Sequence, residues 1–473
     1  WYGELGINYS WEAVSSQAKL TYYQNRGLFM KPAISFDKKT TNALVRTRVS
    51  GGWINDQGTN LGYDLRNAPI GKSRGYAKFR NLVRYNTNWR SATIIEWEED
   101  SEIIRDFQRD HFYANQWNQS HSELTYEGNG YSFSMLSNWQ ANEHEAKVEQ
   151  LPFVSLEFGP LKKWATYHSG SLDYARLVSR DKWGNRVSPV DRMSLGYRIE
   201  KPIKLHKGIH LTPSLAASHQ LYDTNLKSMD RTFGEYGIDL HANLHQFISF
   251  ADDAWEIEKI LNLTKFSISF RGTNLISQSQ GFKTPDIYPF LDDLNLSPID
   301  LLDDPDNEAI IEKKLVRLGW ESSFLAKWNE NNRNLLTMRA FYDLWTSSPA
   351  GVDRGRFLYS DISIHPSSWL SVNLRQKVDL KSSKNYRKSY GIKLQDGRFH
   401  GASIQYMSYL NYNNYLSSNI WKRINEKIFC SANALYDLKQ NSLTYWRSSL
   451  EYRTGSSWIW DTSLAQRKGT RKE

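Results

Sequence analysis

A single cysteine, Cys430, stands among 473 residues. One thiol excludes an internal disulfide and any zinc site built from several cysteines. It shares a small, apolar face with Ile428, Ala432, Ala434 and Tyr436, so a buried or lipid-facing thiol is expected there rather than a functional one. No apolar run approaches the ~18 residues of a membrane helix, which excludes helical spanning. The chain opens at Trp1, with no charged segment ahead of an apolar stretch. A signal peptide, if there was one, is expected to have been removed, and the terminus does not report export. Catalytic signatures are missing too. His144-Glu145 lacks the second histidine of a zinc-binding His-Glu-x-x-His, and neither a Gly-x-Ser-x-Gly elbow nor a phosphate-binding loop occurs. The expectation is a protein that is not an enzyme and holds no cofactor or metal.

Rings are plentiful. Trp (18), Tyr (27) and Phe (20) make up 14% of a chain whose mean hydropathy is −0.64. Disordered chains are poor in aromatics, so disorder is excluded. So many rings in so polar a chain need a surface that holds rings without a continuous apolar core. Lys and Arg number 60 against 51 Asp and Glu, a net charge of +9. The excess is spread along the chain; it permits an anionic partner without naming one, and no nucleic acid is expected.

The dominant pattern has period two. In Ser371–Leu380, Val372, Leu374, Val378 and Leu380 alternate with Asn373, Arg375, Lys377 and Asp379. Ala402–Tyr412 repeats this, as does Glu4–Trp11, where Leu5, Ile7, Tyr9 and Trp11 oppose Glu4, Gly6, Asn8 and Ser10. Phe79–Tyr85 follows it with breaks at Asn81 and Leu82. Successive strand side chains point to opposite faces, so each segment has one greasy and one polar face. Glu127–Gly130, Asp396-Gly397, Asn411–Asn414 and Gly455–Ser457 read as turns between strands. Roughly 24 to 26 strand-like segments result. Ser101–Phe107 and Ala254–Leu263 are long enough for a short helical turn each.

Two arrangements fit many antiparallel strands: a soluble sandwich or propeller, and a membrane barrel. Three features favour a large closed antiparallel transmembrane β-barrel over residues 1–473. Rings sit near segment ends at Trp97, Trp139, Trp164, Trp320, Trp328, Trp345 and Trp369, as an interfacial belt requires. The opposite faces carry Arg, Lys, Asp, Asn and Ser, which suit a wet lumen. No propeller-type repeat appears. Two regions break the rhythm. Thr284–Glu312 holds Pro285, Pro289, Pro298 and Pro305 and reads as a long acidic loop; Glu98–Arg109 reads as a charged connection. Such long loops usually face the cell exterior. Asp292, Asp293, Asp303, Asp304, Asp306 and Glu308 crowd the first loop, but the glycine of a calcium-binding turn is missing, and a solvated acidic loop is expected.

These interruptions resemble the barrel of the LPS-assembly protein LptD family. Asn25-Arg26-Gly27 after an early strand, Asp100–Phe107, Glu149-Gln150-Leu151-Pro152, Asp191–Pro213, Asp286–Asp293 and Leu315–Gly319 occur in the family's order. The resemblance implies insertion of lipopolysaccharide or a related glycolipid into the outer leaflet of a Gram-negative outer membrane. It implies two partners: an LptE-like outer-membrane lipoprotein plugging the lumen, and a periplasmic bridge reached through the family's N-terminal β-jellyroll domain. That domain has no counterpart in this sequence. The alternative is another outer-membrane barrel, such as a porin or small-solute transporter.

In the family reading, sugars cross the lumen while acyl chains leave through a lateral seam between first and last strands. Here the seam residues would be Gly6, Asn8 and Ser10 on one side, and Trp458, Trp460, Asp461 and Ser463 on the other. A weakly paired seam would lower the cost of exposing backbone groups to lipid, several kcal/mol per group. The first strands lack the prolines with which family members loosen that seam. Arg80, Arg84, Arg339, Arg375 and Lys377 are the expected lumen-facing cations, suited to a phosphorylated head group. The plainer reading of each is a water-filled lumen with charges paired across strands.

Overall fold

A computed structural model of the chain describes residues 2–108, 120–144, 147–181, 185–186, 189–224, 227–253, 255–280, 299–302, 312–328, 331–347, 356–381, 384–409, 413–455 and 458–467. Its first strands are β1 (Tyr2–Trp11), β2 (Val14–Tyr23), β3 (Gly27–Lys39), β4 (Ala43–Asn55), β5 (Ser73–Tyr85) and β6 (Trp89–Glu98). Then come helix α1 (Ile103–Phe107), β7 (His121–Glu127), β8 (Tyr131–Asn138), β9 (Lys147–Lys163), β10 (Thr166–Arg180), β11 (Val190–Glu200) and β12 (Ile203–His206). The middle holds β13 (Ile209–Thr224), β14 (Ser228–Ile248), β15 (Lys259–Gln278), β16 (Lys313–Trp328), β17 (Asn331–Ser347) and β18 (Phe357–Ser367). The last are β19 (Leu370–Asp379), β20 (Lys384–Asp396), β21 (His400–Tyr409), β22 (Asn413–Arg423), β23 (Ile428–Asp437), β24 (Ser442–Thr454) and β25 (Trp458–Arg467).

Each strand pairs antiparallel with its neighbours, and β25 returns to pair with β1. β12 prolongs β11 past Lys201-Pro202, and both pair with β13, so the closed barrel has 24 strands. Closure leaves no edge, as a wall facing lipid requires.

The distribution of polarity is inverted relative to a soluble core. Leu215 (64% exposed) and Ile34 (58%) point outward, while Arg74 (0%) and Glu96 (2%) are enclosed. A soluble sheet would bury the leucine and hydrate the arginine. The alternation read from sequence holds in place: Leu5, Val49, Leu195, Ile268, Ile404 and Leu464 form an outer apolar band. This is the transmembrane β-barrel that the period-two pattern predicts.

The two rims differ. Tight turns such as Glu12-Ala13 and Trp164-Ala165 close one rim, with backbone φ of 47° at Glu12 and 48° at Trp164. The strand ends flanking 56–72, 99–120, 139–146, 181–189, 279–312 and 348–356 all lie at the other, with Tyr2 and Arg467; the tight-turn rim has one connection of comparable length, 249–258.

Four sequence expectations need correction. Ala254–Leu263 holds no helical turn among its described residues: Trp255 and Glu256 lie in a turn and Lys259 already begins β15. The register of β15 against β16 extends that strand, and pairing overrides local helix propensity. Asn413 and Asn414 belong to β22 rather than to a turn. Trp320 lies mid-strand opposite Phe266. Trp345 shares the luminal face of Asp343, so neither ring belongs to a belt at a strand end.

Candidate functional site: a capped cationic chamber beside the closing strands

The wall formed by β2–β6 carries a cap. Five residues of helix, Ile103–Phe107, fold inward from the long-loop rim. Ile103, Ile104 and Phe107 pack on Phe29, Ile54 and Tyr76. Tyr23 Oη donates to the Phe107 carbonyl at 3.1 Å. Isolated helices this short do not persist in water; here tertiary packing holds the turn.

Behind these rings, Arg74 is fully enclosed. Its Nε and Nη2 donate to Asp100 at 2.7 Å each, and Nη1 reaches Asp106 at 2.9 Å and Asp56 at 3.0 Å. Arg26 Nε donates to Asp56 at 2.6 Å. Both guanidiniums lie over the Phe107 ring, 4.9 Å and 5.2 Å from its centroid. Burial alone would raise the pKa of Asp56. Hydrogen bonds from Arg26, the Gly58 amide and Arg74 outweigh it and hold the carboxyl below its usual range. Nearby His144 is buried, and its Nε2 has no hydrogen-bond partner among the described residues. Burial and then Arg66 lower its pKa, against the opposite pull of Asp64 and Asp100.

Beneath the cap, Phe107 and Gln108 roof a luminal chamber of about 380 Å³. Lys19, Lys31, Arg48, Lys78, Arg80 and Arg447 line it, with Glu4 as the one carboxylate in the lining. Strand alternation puts these residues on luminal faces of β1–β5 and β24. Glu4 accepts from Thr21 at 2.8 Å and Arg447 at 2.9 Å, and pairs with Lys19 at 3.4 Å and with Lys31. Lys19 also reaches Asp461 at 2.6 Å. Arg80 pairs with Glu96 at 3.0 Å. Arg48 has no carboxylate partner among the described residues. Cations in this excess, partly screened from water, favour a phosphate or other multivalent anion.

A second inward segment lies further round. Leu301 packs on Phe233, and Asp300 pairs with Arg271 and, at 3.2 Å, with Arg198. Asp292, Asp293, Asp303, Asp304, Asp306 and Glu308 lie outside the described residues. On the wall of β8–β13 a recess of about 960 Å³ is lined mainly by serines and glycines, including Ser134, Ser155 and Ser194.

Of the five cations expected in the lumen, only Arg80 lines the chamber. Arg84 sits on the same strand face nearer the tight-turn rim. Arg339, Arg375 and Lys377 occupy a separate patch on β17–β19. There Arg375 meets Asp361 at 3.4 Å, Arg339 meets Glu321 at 3.6 Å, and Lys377 lies over the rings of Phe357 and Tyr359. Cys430 faces outward in a groove with Leu5, Leu20, Trp446, Leu450 and Leu464.

The junction of first and last strands brings the expected seam residues of β1 and β25 together. Pairing runs from Tyr2 opposite Ala465 to Tyr9 opposite Trp458, with Gly6 facing Asp461, Ile7 facing Trp460 and Glu4 facing Ser463. Asn8 lies within it, opposite Ile459; Ser10 pairs with Ser15 of β2, and Ser457, which follows in the register on the other side, lies outside the described residues. Among the described residues the junction pairs over eight positions, Tyr2 to Tyr9, and the β6–β7 pairing over six, from Trp89 opposite Tyr126 to Ile94 opposite His121. The β1–β25 junction is bridged on its luminal side by Arg447–Glu4 and Lys19–Asp461. Sequence reading missed Glu4, Lys19, Lys31, Arg48, Lys78 and Arg447. Alternation marks each as polar-face; only closure of the barrel brings β24 beside β1–β3.

No family model and no curated protein matches the chain. Among solved structures it is similar to OccAB2 of Acinetobacter baumannii (9% identity, 98% of this chain and 96% of that one, TM-score 0.30). It is likewise similar to BauA, the ferric preacinetobactin receptor of Acinetobacter baumannii (9% identity, 98% and 80%, TM-score 0.35). A third is the P pilus usher PapC (7% identity, 100% and 99%, TM-score 0.31). The assignment to transmembrane barrels rests on this chain's own closure, outer band and polar lumen.

Proposed function

We propose that the chain is an outer-membrane barrel of a Gram-negative bacterium that passes lipopolysaccharide or a related phosphorylated glycolipid into the outer leaflet, as the LptD family it resembles does. The observation that carries this reading is the cationic chamber lying against the β1–β25 junction. A phosphorylated head group would lie among Lys19, Lys31, Arg48 and Arg447, and its acyl chains would leave between Leu5 and Leu464 into lipid. The tight-turn rim would face the exterior, because the rim with the long connections also carries Tyr2 and Arg467, where an N-terminal periplasmic domain would join. A lipoprotein plug would narrow the lumen from the opposite rim, and a periplasmic bridge would supply substrate.

One observation favours a second reading, a channel for small solutes. The junction is paired along its length and bridged by ions, as an ordinary barrel closure is. The two readings separate in one experiment. The chain is expressed in a diderm host with a candidate lipoprotein, extracted in detergent and analysed for retained lipid by mass spectrometry, beside conductance in planar bilayers. Retained lipopolysaccharide with low conductance supports glycolipid passage. A lipid-free particle with stable, large conductance replaces it with the solute channel.

A further inference from the structure

We propose that Glu4 is a built-in occupant of the cationic chamber, and that a ligand bearing a phosphomonoester or diphosphate displaces it and thereby loosens the β1–β25 junction. The inference rests on the glycolipid reading for the ligand's identity, but its physical basis is separate.

The same cations serve two purposes. Glu4 draws Lys31 from β3, Lys19 and Thr21 from β2, and Arg447 from β24 to one carboxylate. Arg447 thereby spans the junction in one direction. Lys19 spans it in the other by reaching Asp461 of β25 at 2.6 Å. Gly6, opposite Asp461, makes that crossing possible: a Cβ there would lie 3.2 Å from Lys19 Cγ and 3.3 Å from Asp461 Cβ. The luminal clasp of the junction and the lining of the chamber are therefore one set of side chains.

A phosphate carries more charge and more acceptor oxygens than a carboxylate, and its hydrogen bonds to Lys and Arg are charge-assisted. Arg48, with no carboxylate partner among the described residues, adds attraction that Glu4 does not use, and so do Lys78 and Arg80, which share Glu96 at 3.6 Å and 3.0 Å. An anion entering from the lumen would draw Lys19, Lys31 and Arg447 toward itself and leave the junction to its backbone ladder. Coupling of this kind is reciprocal: if the anion weakens the clasp, weakening the clasp must tighten the anion.

Reciprocity supplies the test. The full chain, in detergent and in a Cys430→Ser background, carries Asn8→Cys and Ile459→Cys, which face each other across the junction away from Glu4. Disulfide formation reports junction closure, and binding of inorganic pyrophosphate is measured in parallel. Pyrophosphate is expected to slow cross-linking. Glu4→Gln is expected to slow it without ligand, and to bind pyrophosphate about 5-fold or more tightly, the usual scale of such coupling. A carboxylate that holds cations without clasping the junction would raise affinity on removal through lost repulsion but leave cross-linking unchanged. If Glu4→Gln does not fold, Asp461→Asn removes the second bridge and carries the same two expectations. Unchanged or weaker pyrophosphate binding in the folded variant overturns the proposal. So does pyrophosphate binding that leaves cross-linking unaltered. Coupling in a particle that never retains lipopolysaccharide keeps the clasp and removes the glycolipid; retained lipopolysaccharide without coupling does the reverse.

Discussion

On the wall of β1–β6, Arg74 is fully enclosed and meets three carboxylates; on the wall of β17–β19, Arg375 is 55% exposed and meets Asp361 at 3.4 Å. Both are luminal arginines on strands of one barrel. The difference lies in what covers them. Phe107, Ile103 and Ile104 exclude water from Arg74, so its charge persists only because several acceptors surround it. Arg375 keeps its hydration and needs no such company. A barrel lumen is therefore not one medium, and a charge facing it is structural on one wall and solvated on another.

The sharpest way to break this contrast is to remove both arginines in turn. Arg74→Met strands Asp56, Asp100 and Asp106 beside an apolar side chain. The expected loss is about 3–5 kcal/mol, the range for breaking a buried pair from one side. Arg375→Met should cost under about 1 kcal/mol, as exposed pairs do. Urea unfolding in detergent, followed by the fluorescence of the 18 tryptophans, reads both. Similar losses at the two positions would mean that the cap does not dehydrate Arg74.

A second pair of substitutions sharpens the comparison through packing alone. A Cβ on Gly52 would lie 2.7 Å from the Phe29 ring and press on Tyr76, both part of the cap cluster. Gly52→Ala should cost about 1–3 kcal/mol, as overpacking does. At Gly391 on β20 the nearest atoms, Gln405 Cγ and the Ile404 carbonyl oxygen, are 3.8 Å and 3.9 Å away. Gly391→Ala should be neutral, or stabilising by about 0.5–1 kcal/mol through reduced freedom of the unfolded chain. A costly Gly391→Ala would place an unseen packing constraint on the open wall.

These sites also show what the sequence could convey. Alternation is a local property, so the faces of Glu4–Trp11 and Ser371–Leu380 were legible residue by residue. Short helical turns were less legible: of the two candidates, Ser101–Phe107 holds helix at Ile103–Phe107, while Ala254–Leu263 runs into β15. Register and closure are not local. Nothing near Arg447 in the chain indicates that β24 stands within reach of Glu4, more than 400 positions earlier; the hydrogen bond is a consequence of 24 strands closing. For the same reason the cations singled out from sequence fell on two distant walls, and Arg74, whose charged neighbours on its own strand face are the cations Lys78, Arg80 and Arg84, gave no sign that it would be enclosed.

The smallest expected effect concerns protons at the cap. His144 has a pKa lowered by burial, so the folded ring binds its proton less readily than the unfolded one, whose value is near 6.5. In the window between the two values the unfolded connection holds more protons. Stability from the neutral ring is therefore fully present above about pH 6.5 and is lost as pH falls through the folded value. Asp56 and Asp64 are also lowered, each by hydrogen bonds that outweigh burial. Their contribution is present above an unfolded value near 3.9 and is lost only below it, as pH falls through the folded values. Acid should thus loosen the capped rim in two steps. The first step belongs to the capped rim, where His144 lies. Limited proteolysis with an acid-tolerant protease from pH 8 down to about pH 2 should show cleavage rising first in the connections 56–72 and 139–146. His144→Asn should erase that first step while leaving the second. An upper step that survives the substitution would move the sensor elsewhere in the cap.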